Sequence, residues 1–180
     1  MKKFLLIPVV VLVLAACNNG KNETAETAKA DTAGISRANL PMPASYSSSF
    51  RLGNPDYAAT IVQGSWKDWQ NNTMDNMKSW IADTIVAFHS DNTMIRGADS
   101  LVANWKRGRA KYTSVADTIN AVVPLYSTDK NQNWVLIWAS EINTRTDGTK
   151  DSAAVMETWR FNKDGKADLL LQYDRANRKK

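Results

Sequence analysis

Two Asp-Gly dipeptides, Asp147-Gly148 and Asp164-Gly165, constrain the fold of this chain more than any other feature. Asp-Gly suits tight hairpin turns, whose central positions take positive φ. Around them lie runs rich in β-branched, aromatic and other apolar residues, over 114–126, 133–144, 153–162 and 167–173. Such runs joined by short turns predict an antiparallel meander. Alternation puts Val135, Ile137, Ala139 and Glu141 on one face of their strand, with Trp134, Leu136, Trp138 and Ser140 on the other. Val155, Glu157, Trp159 and Phe161 share a face, as do Leu170, Gln172 and Asp174, opposite Leu169, Leu171 and Tyr173. Each face mixes apolar and polar groups, so alternation leaves open which of them is internal.

Upstream, the period changes. Asn54 and Pro55 fit a helix start, and Tyr57, Ala58, Ile61, Val62, Trp66 and Trp69 recur at helical spacing. Asn71-Asn72-Thr73 breaks the run. Met74, Met77, Trp80 and Ile81 predict a second helix, residues 84–89 a strand, Met94-Ile95-Arg96 a short returning strand, and residues 99–111 a third helix. Helices followed by an antiparallel meander make an α+β fold, with helices gathered on one face of a sheet.

The first residues read as an export leader. Met1-Lys2-Lys3 is a charged start, Phe4 to Leu14 an apolar run too short to span a bilayer comfortably, and Ala15-Ala16 a small-residue cut site. Leu14-Ala15-Ala16-Cys17 resembles the lipobox of bacterial lipoproteins. That resemblance implies cleavage before Cys17, a diacylglycerol thioether on it and acylation of the new amine, hence membrane attachment through lipid on Cys17. Asn18 stands where some bacteria use Asp to retain lipoproteins in the inner membrane, which favours the outer membrane or periplasmic face of the cell envelope. The expected organisation is a leader over 1–16, the lipidated cysteine and a flexible tether over 17–54, a domain over 55–176 and a basic tail over 177–180. The tether is rich in Ala, Thr, Ser, Asn and Pro. Tyr46, Phe50 and Leu52, near its end, are candidates to pack onto the domain. As a coil it would span roughly 35 Å.

The formal net charge is +5, and Lys2 and Lys3 would leave with the leader. Lys106, Arg107, Arg109 and Lys111 read as the solvated end of the third helix, where cations suit the helix dipole. Nucleic acid is not expected as a partner. One histidine and one cysteine leave no basis for a Cys/His metal cluster. No phosphate-binding glycine loop and no Gly-x-Ser-x-Gly string occurs. No metal and no cofactor is expected.

His89, the only histidine, is the sharpest candidate for chemistry, because imidazole moves protons near neutral pH. The plainer reading is a packed histidine with one hydrogen bond. Glu157 and Asp174 are its candidate supports. Arg160 with Glu157 or Glu141 would make an ordinary cross-strand ion pair. Among the seven tryptophans, Trp66, Trp69, Trp80 and Trp105 sit at helical core spacing. Trp138 and Trp159, with Tyr57 and Tyr173, are the candidates to line a pocket.

The element order, together with Trp80-Ile-Ala-Asp-Thr-Ile-Val-Ala-Phe-His89, Gly97-Ala-Asp-Ser-Leu101 and Glu157-Thr-Trp-Arg-Phe-Asn-Lys-Asp-Gly-Lys166, resembles the nuclear transport factor 2-like superfamily and its SnoaL-like branch. The resemblance implies a cone: three N-terminal helices packed on a strongly curved, mostly antiparallel sheet, a pocket between them, and homodimers through the outer sheet face. In the ketosteroid isomerase-like branch a carboxylate base sits at about the position of His89, with a tyrosine on the first helix and an acid on a late strand. Here Tyr57 comes about two turns too early, and the late-strand region holds Trp138 and Ala139, with Glu141 as the possible substitute. Steroid isomerisation is therefore poorly supported. The leading expectation is an envelope-anchored domain that binds a small molecule or protein partner without catalysis. The alternatives are a small isomerase- or hydrolase-type enzyme with His89 as general base, and a structural dimer whose pocket is vestigial.

Overall fold

The computed structural model describes residues 40–176. The leader, Cys17 and the basic tail over 177–180 lie outside the described residues. Asn54 caps the first helix, its Oδ1 accepting from Asp56 N at 2.9 Å, and Pro55 supplies the first helical position. Helix α1 (Pro55–Ile61) runs into a π-helical segment (Val62–Lys67) and then α2 (Asp68–Asn71). Gly64 lies in the wide segment for a steric reason. A Cβ there would meet the Trp80 indole nitrogen at 2.4 Å. Asn72 ends the run at φ 59.

The second helix is shorter than its apolar spacing predicts. It is a 3-10 turn, Met74–Ser79, and Trp80 and Ile81 do not belong to it. Ile81 instead opens strand β2 (Ile81–Phe88), paired with Ala167. Strand β3 (Met94–Arg96) returns beside β2, and Gly97, at φ 88, leads into α3 (Ala98–Arg109). The meander is β4 (Tyr112–Ser127), β5 (Gln132–Arg145), β6 (Lys150–Phe161) and β7 (Ala167–Ala176), with Gly148 and Gly165 at positive φ in its turns.

These strands join one seven-stranded sheet in the order β1-β4-β5-β6-β7-β2-β3, where β1 is Phe50–Leu52. All neighbours are antiparallel except β2 and β7, which run parallel and tie the small hairpin to the meander. Register shifts in β4, at 112/114 and 119/121, bend the strand as bulges do. Strand β1 corrects part of the tether expectation. Phe50 pairs with Ser127 and Leu52 with Leu125, so the chain joins the sheet before residue 55. Tyr46 and Phe50 set their rings edge-on to Trp134, whereas the Leu52 side chain is exposed.

Helices cover one face of the sheet. Ile61, Met74, Met77 and Leu101 pack against Ile85, Ile137, Trp159 and Leu170 in one buried cluster. Burial of each such side chain stabilises the fold by roughly 1.5–3 kcal/mol. Alternation in β5, β6 and β7 is resolved by this packing. The faces carrying Ile137, Glu157 and Leu170 turn inward, which places Glu141, Gln172 and Asp174 on the inner side as well.

Candidate functional site

Beside the apolar core the covered face of the sheet carries polar groups, Glu141, Glu157 and Gln172. Between the sheet and the helices lies a cavity of ≈ 460 Å³. Ser65, Trp66 and Trp69 line it from the first helical run, and Trp105, Gly108 and Asn104 from α3. Glu141, Val155, Glu157 and Gln172 form its floor, and the exposed Ser90, Asp91, Thr93 and Asp174 its rim.

Glu157 is the deepest polar group, 4% exposed. Its Oε2 accepts from Trp66 Nε1 at 3.1 Å and Trp159 Nε1 at 2.9 Å, and its Oε1 from Gln172 Nε2 at 3.0 Å. Burial pushes the Glu157 carboxyl up to about 7. The donors pull against that shift, and the charge of Glu141 adds to it. Gln172 carries the chain of contacts onward, with its Oε1 2.9 Å from His89 Nδ1. His89 follows β2 directly, and its backbone N–H closes the turn to β3 on Thr93 O. Its Nε2 is buried and has no hydrogen-bond partner in the protein.

A pair of half-buried acids lies farther along the sheet. Asp117 of β4 stands directly across from Glu141 of β5. Glu141 Oε2 accepts from Trp69 Nε1 at 2.7 Å and Oε1 from Asn143 Nδ2 at 2.6 Å. No donor reaches either carboxyl oxygen of Asp117, although its backbone N–H donates to Gln70 Oε1 at 2.9 Å. Burial first, then the charge of Glu141, pushes Asp117 up to about 7. Asp117 and Glu157 are thus the two acids of this end of the fold that burial raises to about 7.

His89, Glu157 and Asp174 all reach the cavity. Glu157 connects to His89 through Gln172, while Asp174 Oδ2 accepts from Ser90 Oγ at 2.8 Å on the rim. The expected aromatic lining is largely elsewhere. Trp138 and Tyr173 lie on the outer face, 36% and 59% exposed, in one cross-strand row with Met156. Tyr57 packs on Phe161, ring centroids 4.5 Å apart, and Trp159 is fully buried beneath Glu157. The cavity's aromatic walls are instead Trp66, Trp69 and Trp105, whose helical spacing reads as core alone, and Tyr112 at the start of β4. Arg160 points outward and pairs with Asp168 at 2.7 Å, so neither Glu157 nor Glu141 is its partner. Arg109 is buried rather than solvated, its guanidinium donating to the carbonyls of Trp69, Gln70 and Tyr112. Among the described residues no group of three or more His, Cys, Asp or Glu is placed to hold a metal ion.

The sequence carries one signal for Asp117. It alternates with Val115 and Ile119, a lone acid on an otherwise apolar strand face.

Neither a family model nor a curated protein matches the sequence. Solved structures do match. An epoxide hydrolase of the LEH-like type from M. tuberculosis aligns over 67% of this chain and 84% of its own, at 17% identity and TM-score 0.53. The Δ5-3-ketosteroid isomerase of a Mycobacterium species aligns over 67% and 98%, at 17% identity and TM-score 0.53. A SnoaL-like polyketide cyclase from Shewanella denitrificans, named as putative, aligns over 68% and 92%, at 11% identity and TM-score 0.56. The chain has the nuclear transport factor 2-like fold. At these identities the likeness carries the fold and no activity, because this fold hosts unrelated functions.

Proposed function

We propose that the cavity binds a small organic molecule, and that the domain carries this site at the cell envelope on lipid attached to Cys17. The supporting observation is a ≈ 460 Å³ cavity with tryptophan walls and a few convergent polar groups, His89, Glu157 and Gln172 among them. That volume suits a small ligand. Tryptophan fluorescence of the purified chain tests the reading, since Trp66, Trp69 and Trp105 face the cavity. A ligand library should yield compounds that change the emission, and Val155→Trp should abolish the response. A library without any such compound would overturn the reading. Release of the chain from membranes on Cys17→Ala tests the anchor.

A second reading, acid–base catalysis, is favoured by Glu157 joined to His89 through Gln172. It predicts turnover of a bound ligand, lost in His89→Ala with binding retained. The homodimer implied by the resemblance belongs with these proposals. A second copy would pack on the outer row Trp138–Met156–Tyr173, and light scattering of the chain and of Trp138→Glu measures it.

A further inference from the structure

The protein carries more Lys and Arg than Asp and Glu, 23 against 18. Its cavity runs against that balance. Asp91, Glu141, Glu157 and Asp174 line it, with no Lys or Arg, and His89 is the only basic side chain. Asp117 adds a further carboxyl directly opposite Glu141.

None of these acids has an ion-pair partner among the described residues. The ion pairs are Lys78 with Asp99, Lys106 with Asp75, Arg145 with Asp151 and Arg160 with Asp168, and no cavity acid takes part. Arg109 directs its guanidinium to backbone carbonyls. The donors to Glu157 and Glu141 are neutral indole and amide N–H groups. They solvate the carboxylates without cancelling charge, so the ionised acids of the recess focus a negative field, and a cation bound there would favour the ionised form of Glu157 over the neutral form that burial favours. Trp66, Trp69, Trp105 and Tyr112 surround that field with aromatic rings, whose faces attract cations.

We infer that the cavity selects an organic cation, an amine or quaternary ammonium on an apolar body, whose charge supplies the counterion that these acids lack in the protein. The inference rests on the reading that the cavity is a binding site.

Matched pairs of probes test it by tryptophan fluorescence and calorimetry on the full chain. Choline is compared with its neutral carbon isostere dimethylbutanol, benzyltrimethylammonium with benzyl alcohol, and cyclohexylammonium with cyclohexanol, at millimolar concentrations. Each cation should bind roughly tenfold or more tighter than its neutral partner, and added salt should narrow the gap. Glu141→Gln should weaken the cations severalfold and leave the neutral compounds unchanged. Asp174→Asn, at the exposed rim, should do the same to a smaller degree without risk to the buried network. Neutral members binding as tightly as the cations would overturn the charge inference and leave the binding site standing. Failure of every probe, charged and neutral, would overturn both.

Discussion

His89 Nδ1 lies 2.9 Å from Gln172 Oε1, and that contact determines which ring nitrogen holds the proton. A carboxylate only accepts, so the Glu157 oxygen draws the amide nitrogen of Gln172 to it at 3.0 Å. The amide oxygen is then left for His89, and it requires a donor. Nδ1 carries the proton, and Nε2 keeps a lone pair. Imidazole in water prefers the opposite tautomer. Long-range proton–nitrogen NMR reads this directly, because the chain has one histidine. With Glu157 ionised at alkaline pH, the neutral ring should show the Nδ1–H form. Gln172→Leu should return the ring toward Nε2–H. An Nε2–H spectrum in the unmodified chain would break the proposed connection.

Asp117 makes the fold less stable as pH rises. Its carboxyl is pushed up to about 7, first by burial and then by Glu141 across the strand. In the unfolded chain it titrates near about 3.9. Between those values the native state holds the proton and the unfolded state does not, so stability falls through that window and levels off above it. Glu157, also raised to about 7, acts in the same direction. Arg109 opposes the shift of Asp117 from the helix side. Asp117→Asn should therefore stabilise the protein at pH 8 by about 1 kcal/mol, after allowance for partial exposure. It should bring little gain near pH 4. Thermal melts across that range measure both values.

Why Asp117 escapes a reading of the sequence is a matter of register. Alternation puts Glu141 with Ala139 on one strand face, Glu157 with Trp159 on another and Gln172 with Asp174 on a third. It did not say which face is covered, since Trp138 and Trp159 are equally apolar and fall on opposite sides. Only the placement of the helices decides that. The opposition of Asp117 to Glu141 depends on a register shift at 119/121, which no local pattern encodes. The helix periodicity misled at Ile81 for a related reason. Met77, Trp80 and Ile81 satisfy helical spacing, but Ala167 N donates to Trp80 O at 2.9 Å and draws the chain into the sheet. Turn chemistry, by contrast, is local. Asn54 and the Asp-Gly turns act where their residue types predict.

Arg109 holds together the end of the first helical run and the start of β4. Its Nε donates to Trp69 O at 2.8 Å, Nη1 to Tyr112 O at 2.8 Å and Nη2 to Gln70 O at 3.2 Å. The Trp69 and Gln70 carbonyls lie in the last turn of α2, where helix carbonyls lack intrahelical partners, and Trp69 O also accepts from Asn72 N at 3.2 Å. Arg109→Ala should cost about 2–4 kcal/mol in urea unfolding, from lost charge-assisted bonds and stranded carbonyls. Arg109→Lys should recover part of that, since an ammonium cannot span the same fork. Lys111→Ala, at an exposed position two residues on, should change stability by less than about 0.5 kcal/mol.

The boundary between tether and domain rests on Asp129. Its Oδ1 accepts from Ser47 Oγ at 2.6 Å and Ser127 Oγ at 2.8 Å, and its Oδ2 from Ser48 N at 3.1 Å and Ser48 Oγ at 3.2 Å. Those bonds favour the ionised carboxylate and hold its pKa well below the usual carboxylate range. The clasp is therefore present above the ordinary carboxyl range and is lost only as pH falls far below it. It sits one step ahead of β1, which is just Phe50–Leu52 and too short to stay paired alone. Asp129→Ala should free residues 47–52 and leave the rest of the sheet intact. Hydrogen exchange should show amides of β1 opening roughly tenfold or more faster, with protection of β5 and β6 unchanged. Loss of protection across the whole sheet would instead make Asp129 a determinant of global stability.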